Sequence, residues 1–416
     1  MTARGAVLRL HRWAGLLTAG FLVVAGLTGS VIAFENEIDA WLNPDLFHTT
    51  SLGEALSPSS LAERIEAQEP RIRVSRIPLL PRAGETLLVS FQPRLDPGTG
   101  EPFVLPFNQL FADPVTGRVV GTRMASRDIA DCCNRHNVLR IVYRFHYTLA
   151  VPGRWGVWLM GAISLIWVID CFLGLWLTVP RGRPLLAKWT PAWLIKRRAG
   201  GYRRNLDLHR AGGLWLWLVL LALAVSGVYL NLRSEVFRPA VALVSPLTPT
   251  FKEQFRQSPP GQEIEPSLGF DEMLARARQE AARRGWAEPP GRISYDRRRG
   301  TYEVDFRGEQ FHDTAGLGAP SLYFDAASGS LIHAEVATEG SAGDIFMRMQ
   351  FPLHSGQIAG LAGRIVICLA GILTVVLSVT GIVIWWRKRA ARAAKTRKRA
   401  AAGLLHRARY QGSELH

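Results

Sequence analysis

Four apolar runs limit what this chain can fold into: Trp13 to Phe34, Trp155 to Val179, Leu214 to Leu232 and Ile365 to Trp386. Each is close to the roughly 20 residues that a helix needs to cross the apolar layer of a bilayer. Each is nearly free of charge, which is a strong membrane signal. The 416-residue length and 48% hydrophobic content would also suit a soluble enzyme, but apolar residues gathered into four such blocks do not.

Charge sets an orientation. Segments 1–12, 178–210 and 387–416 hold 22 of the 50 Lys and Arg, and only 2 of the 34 Asp and Glu. The net charge of +16 therefore comes from short stretches flanking the apolar runs. That pattern places both termini and the 178–210 loop in the cytoplasm. It also argues against nucleic acid as the partner of the basic residues, because they sit beside membrane segments. The first run could pass for a signal peptide, with Val31-Ile32-Ala33 as a cleavage site. Its length, and a matching copy in mid-chain, favour a retained helix. The 4 cysteines do not amount to a disulfide framework.

The chain is written twice. Leu10-His11-Arg12-Trp13-Ala14-Gly15-Leu16 returns as Leu208-His209-Arg210-Ala211-Gly212-Gly213-Leu214, and Gly29 and Gly227 each lie 18 residues past their His. His146 and His354 head the returning spans, followed by Gly153-Arg154 and Gly363-Arg364, then by Gly174 and Gly381. Between the spans, each half carries a helical pattern, strand-like runs and one Asp-x-x-[Ser/Thr]-Gly hairpin, at Asp113–Gly117 and Asp325–Gly329. Both halves run out and then back, which makes a parallel repeat about an axis near the membrane normal.

The expected order is an N-terminus and first helix over 1–38, an external module over 39–145 and a second helix over 146–179. A basic loop over 180–208, a third helix over 209–232 and a second external module over 233–353 follow. The fourth helix covers 354–386 and a basic tail 387–416. In the modules, a short helix over Leu61–Glu66 and an amphipathic one over Asp271–Arg284 accompany the strands. The fold class is an α-helical membrane protein: a four-helix bundle from an internal duplication, with two external α+β modules.

Four histidines carry the chemistry. His11 and His209 fall at the cytoplasmic edge, His146 and His354 at the external edge, one repeat-related pair per membrane face. A lone interfacial His is by default a solvated side chain; two register-matched pairs are not so easily dismissed. Paired imidazoles from different helices suit bis-His axial ligation of haem iron. Imidazole also suits Zn, Cu or other Fe sites, although two His per face are too few for a closed zinc site. Cross-pairing of His11 with His146 is excluded by depth alone. Arg12 and Arg210 on one face, and Arg154 and Arg364 on the other, are the candidate partners for haem propionates. The glycines would let a flat ring or a neighbouring helix approach closely. Asp170, inside the second span, faces the bundle interior by default and could relay protons or bind a quinol. Cys132-Cys133 has no equivalent in the second half, and adjacent cysteines rarely bridge. Cys171 and Cys368 read as packing residues. Nothing resembling G-x-G-x-x-G follows a strand, so a nicotinamide or flavin site is not visible.

Together the Leu-His-Arg-x-x-Gly-Leu openings, the return-helix His followed by Gly-Arg, the two hairpins and the four-span layout resemble the PepSY-associated transmembrane helix family over about residues 5–390. Its members include iron-regulated proteins of the bacterial inner membrane, some of them similar to ferric-siderophore reductases with two b-type haems and periplasmic PepSY-like modules. The resemblance implies two haem b groups held by His11, His209, His146 and His354. It also implies an oxidoreductase activity that passes electrons across the inner membrane to a ferric siderophore or other ferric chelate, from a cytoplasmic or quinol donor. Two other readings stand beside it. One is a non-redox membrane regulator whose external modules bind or inhibit a peptidase. The other is a component of siderophore or metal transport, disfavoured by the expectation of four unbroken helices.

Overall fold

The computed structural model describes the chain except residues 1, 127, 129, 131–133, 197, 256, 260–261, 307–315 and 414–416, and side chains at 252 and 398–413. Cys132, Cys133 and His312 therefore lie outside the described residues. The elements of the first half are α1 (Ala3–Ile32), α2 (Glu35–Leu42), α3 (Pro44–Phe47), α4 (Pro58–Gln68), β1 (Ile72–Pro78), β2 (Leu87–Pro93), β3 (Gln109–Ala112), β4 (Val119–Arg123), α5 (Val138–Thr148) and α6 (Gly153–Thr178). Those that follow are α7 (Leu185–Trp189), α8 (Gly201–Trp215), α9 (Trp217–Asn231), α10 (Arg238–Ala242), α11 (Phe251–Gln254) and α12 (Phe270–Arg283). Then come β5 (Arg292–Asp296), β6 (Thr301–Asp305), β7 (Ser321–Asp325), β8 (Leu331–Glu335), α13 (Ala342–Ser355) and α14 (Gly360–Ser413).

Among the described residues, three helical segments are long and apolar enough to cross a membrane: α1, α6 and Gln357–Arg397, which holds the start of α14. The pair α8 and α9 makes a fourth if counted as one span, bent by 69°. The third helix is thus not unbroken as the sequence suggested. Leu216 leaves helical geometry, with φ −106° and ψ 7°, just after Gly212 and Gly213, and a glycine pair is a common cause of sharp kinks. The expected second and fourth spans are also divided. Leu149 and Ala150 take positive φ before Pro152, which separates α5 from α6. Gly356 and Gly360, with φ of 80° and 57°, separate α13 from α14. His146 and His354 consequently ride on helices of their own, ahead of the long spans.

The long helices close into a ring of contacts: α1 packs on α6 and on α14, α6 on α9, and α8 on α14. Glycine sets the closest crossing. A Cβ on Gly26 would stand 2.6 Å from the Gly371 carbonyl oxygen, and one on Gly371 would stand 2.6 Å from that of Gly26. Small residues allow such approach where lipid supplies no hydrophobic drive.

The strands of both halves join one antiparallel sheet in the order β4-β3-β2-β1-β5-β6-β7-β8. The order is symmetric about the β1–β5 pairing, where Ile77 faces Ile293. Alternation, with its phase shifted by a bulge between Val74 and Arg76, explains the burial: Ile72, Val74 and Ile77 of β1 and Ile293 of β5 turn to one core with Leu61 and Ile65 of α4 and Met273 and Ala277 of α12. The two segments between the spans therefore share a sheet and a core. The two covering helices lock together at their N-termini. Asp271 accepts hydrogen bonds from Ser57 Oγ at 2.6 Å and the Ser59 N–H at 3.1 Å, while Ser59 Oγ accepts from the Asp271 N–H at 3.1 Å. Helix α4 is capped by Ser57, earlier than the sequence suggested. Both Asp-x-x-[Ser/Thr]-Gly hairpins form as expected, with Gly117 and Gly329 at φ 71° and 69°, and β8 completes the second.

Candidate cofactor site

The fold brings the four histidines together two by two. His11 of α1 and His209 of α8 have ring centroids 6.2 Å apart, on the side of the helices where the chain begins. His146 of α5 and His354 of α13 have centroids 6.0 Å apart, on the side of the sheet. His11 and Gly29, the neighbour of His146, are separated by about 27 Å of helix rise along α1.

Each pair takes one His from each half, and each His is held by a helix of its own half. His11 Nδ1 bonds Asp170 Oδ1 of α6 at 2.8 Å. His209 Nδ1 bonds the Leu377 carbonyl at 3.0 Å and Thr380 Oγ1 at 3.1 Å, both on α14. His146 Nδ1 bonds the Ala25 carbonyl at 3.1 Å and Thr28 Oγ1 at 3.2 Å, both on α1. His354 Nδ1 bonds Ser226 Oγ of α9 at 2.8 Å.

These partners fix the tautomer. Carbonyl and carboxylate oxygens can only accept. The hydroxyls of Thr28, Ser226 and Thr380 already donate to Val24, Ala222 and Val376 carbonyls, at 2.6, 2.6 and 2.7 Å. Every Nδ1 therefore carries a proton, and in the neutral ring each Nε2 keeps its lone pair. Metal-bound imidazoles are oriented in this way, with the far nitrogen donating to a protein oxygen.

Glycine makes room for three of the four rings. A Cβ at Gly29 would lie 2.9 Å from His146 Cε1, one at Gly381 3.1 Å from His209 Cε1, and one at Gly174 3.4 Å from His11 Cε1. Gly227, the repeat counterpart of Gly29, instead faces Ser164, whose Oγ would lie 2.7 Å from a Cβ there.

Does the arrangement fit a haem? A metal–imidazole bond of about 2 Å on each side of one iron, plus about 1.1 Å from ring nitrogen to ring centre, places the centroids ~6 Å apart. Both pairs have that spacing. A cavity of about 740 Å³ adjoins the first pair, lined by His11, His209 and Asp170 with Trp167, Trp217 and Trp385. That volume lies in the range of cofactor sites. Arg12, Arg210 and Lys388 also line it, and Arg210 Nε is buried without a hydrogen-bond partner. An anionic group at that rim would satisfy it. Among the described residues no cluster of three or more His, Cys, Asp or Glu could hold a bare metal ion, so the paired imidazoles are the donors to consider.

The arginines divide. Arg12 and Arg210 lie at the cavity, although Arg210 also donates to the Pro191 carbonyl at 2.7 Å and to Asp207 at 3.0 Å. On the sheet side the expected pair is engaged elsewhere. Arg364, 1% exposed, grips Glu37 at 2.6 and 2.7 Å, donates to the Ala33 carbonyl at 2.9 Å and stacks on Phe34. Arg154 reaches Glu235 at 2.7 Å on an exposed surface. These two serve the ends of α1 and α9, where an ion pair is the simpler use of a guanidinium.

The hydrogen-bonding partners were missed in the sequence, yet a signal was there. Thr28-Gly29, Ser226-Gly227 and Thr380-Gly381 repeat a hydroxyl before the glycine that follows each His in its half. At the fourth position Leu173 precedes Gly174, and Asp170, one helical turn earlier, takes over. Cys171 and Cys368 contribute backbone carbonyls that accept from Trp217 Nε1 and Ser30 Oγ.

Several apolar membrane-crossing helices beside a separate antiparallel sheet define an integral membrane protein with an external or internal water-exposed part. The sequence profile described as the PepSY-associated TM region matches residues 8–388, and the chain belongs to that family. No curated protein matches the chain.

Proposed function

We propose that the protein is a two-haem electron conduit of the bacterial inner membrane that reduces ferric iron, held in a siderophore or another chelate, on the outer face. The observation that carries this is the repeated geometry of two His pairs at ~6 Å, all four Nδ1 atoms committed to donation and all four Nε2 lone pairs open. Haem, when bound, supplies an iron that takes up and gives up one electron at a time. His11 with His209, and His146 with His354, would hold it. Bis-His ligation leaves no open iron position for oxygen chemistry.

The chain's own residues supply the rest. Asp170, Thr28, Ser226, Thr380 and two carbonyls orient the rings. Arg12, Arg210 and Lys388 would take propionate carboxylates. The basic segments keep the termini side in the cytoplasm, so the shared sheet, and with it two PepSY-like modules over a four-helix bundle, faces the periplasm. A quinol or a reduced cytoplasmic protein gives the electrons, and each electron converts one Fe(III) of the chelate to Fe(II). Hard oxygen ligands hold the softer, less charged Fe(II) more weakly, so the metal is released.

The test is optical. Protein purified from haem-replete cells should be red, with a reduced-minus-oxidised b-type spectrum; a colourless preparation sinks the proposal. His209→Ala should remove about half of the signal, from the side of the termini, and retention of both haems would disprove the pairing. The break at Leu216 favours transport as a second reading, since broken helices often line transport sites. In that case chelate uptake would survive His209→Ala unchanged.

A further inference from the structure

The charge of the oxygen that each Nδ1 meets sets one histidine apart from the other three. Three of them donate Nδ1–H to uncharged oxygens, from carbonyls or hydroxyls. His11 alone donates to a carboxylate, Asp170. We infer that Asp170 is a positioning residue that gives the His11–His209 pair the lower reduction potential of the two, so that electrons run from the termini side to the sheet side. This rests on the haem proposal above.

The asymmetry arises where the internal repeat departs from itself. Three rings meet a hydroxyl one residue before a glycine, at Thr28, Ser226 and Thr380. At the fourth, the hydroxyl is absent, and a carboxylate stands one turn away on the same helix face. In the second half Leu377 occupies the matching place and offers His209 only its backbone oxygen. A carboxylate in an apolar span is costly to keep. Asp170 is mostly buried, at 12% side-chain exposure, and pairs with His11 at 2.8 Å. Such a cost is hard to explain by packing, since Leu serves the equivalent position.

The chemistry points one way. A carboxylate that accepts Nδ1–H makes the imidazole a stronger donor through Nε2. Stronger donation and a nearby negative charge both favour the ferric over the ferrous state, which lowers the potential. Arg12, Arg210 and Lys388 line the same cavity and act in the opposite sense. They lie at the basic edge, where Asp207 already pairs with Arg210 at 3.0 Å and propionate carboxylates would offset the others, while Asp170 bonds the His11 ring itself. On the sheet side no carboxylate bonds His146 or His354 among the described residues. The two pairs therefore form a step that descends outward.

The experiment is a redox titration of the whole protein in detergent or nanodiscs, followed at the b-type absorption band. The unaltered protein should resolve two one-electron components. Asp170→Asn keeps the shape and an acceptor oxygen but removes the charge. It should shift one component, the lower, upward by at least tenfold in its equilibrium constant, about 59 mV for one electron. The upper component should stay put. Asp170→Glu, which restores the charge, should bring the lower value back. If Asp170→Asn does not accumulate, Asp170→Ser serves the same purpose. Two haems with potentials indifferent to these changes, or a shift in the upper component alone, overturn the inference while the haem proposal stands. Absence of b-type absorption in the unaltered protein overturns the haem proposal first.

Discussion

Gly29 offers the sharpest test of how the sheet-side ring is held. A methyl group at Gly29 would sit 2.9 Å from His146 Cε1 and 3.3 Å from Nδ1. Carbon atoms prefer separations of about 3.5–4.0 Å, so the ring must retreat by roughly 0.6–1 Å. The retreat pulls Nδ1 away from the Ala25 carbonyl and Thr28 Oγ1, now at 3.1 and 3.2 Å. Losing one such bond costs about 1 kcal/mol, and overpacking a filled site adds about 1–3 kcal/mol. On the two-haem proposal, a total of about 2–4 kcal/mol, at 1.4 kcal/mol per tenfold, would weaken haem retention by roughly thirtyfold to several hundredfold. Gly174→Ala is the built-in control. Its methyl would lie 3.4 Å from His11 Cε1, close to ordinary contact, and should cost less than about 0.5 kcal/mol. The assay is the haem-to-protein ratio of the purified variants, measured as pyridine haemochrome after dilution. Gly29→Ala should approach one haem per chain and Gly174→Ala should keep two. Equal loss in both, or full retention in both, refutes the geometry.

Other outcomes follow from the external sheet. Arg123 and Asp39 form a buried pair at 2.9 and 2.5 Å, 5% and 6% exposed, that ties α2 to β4. Asp39→Ala strands the guanidinium and should destabilise this end by about 3–5 kcal/mol, while the double change Asp39→Leu with Arg123→Met should recover most of it; thermal unfolding of the two variants decides. Burial works against ionising Asp113, but hydrogen bonds from Ser51, from Thr49 at 2.7 Å and from the N–H groups of Thr116 and Val115 win and hold its carboxyl at about 2. A carboxyl depressed in the folded state stabilises fully above its ordinary value near 3.8 and loses that contribution as pH falls toward 2. Acid unfolding of Asp113→Asn should accordingly be flatter across that window, and an unchanged slope would exclude the assignment. Asp271→Ala removes the lock between α4 and α12 and should cost about 1–2 kcal/mol in the unfolding of the sheet, and Ser57→Ala on top of it should cost about 1 kcal/mol more because Ser57 also caps α4 through the Ser60 N–H.

Much of this protein is written in its sequence. Four apolar runs and their basic flanks are one-dimensional patterns, because a bilayer imposes length and charge on each segment separately. The duplication alone sets His11 with His209, and His146 with His354, since register-matched positions in a repeat come to equivalent places. Hairpin turns at Gly117 and Gly329 were legible from local backbone demand alone. What the sequence did not decide were the contacts between segments far apart along the chain. Two external segments became one eight-stranded sheet because β1 and β5, each an edge in its own half, cover each other. Arg364 went to Glu37 instead of a propionate because the fold sets the end of α1 beside it. The third span bent at Leu216, which hydropathy cannot register. Asp170 was visible only as a costly carboxylate; the structure gave it His11, 159 positions away, because only packed helices bring a span's interior face against the imidazole of another.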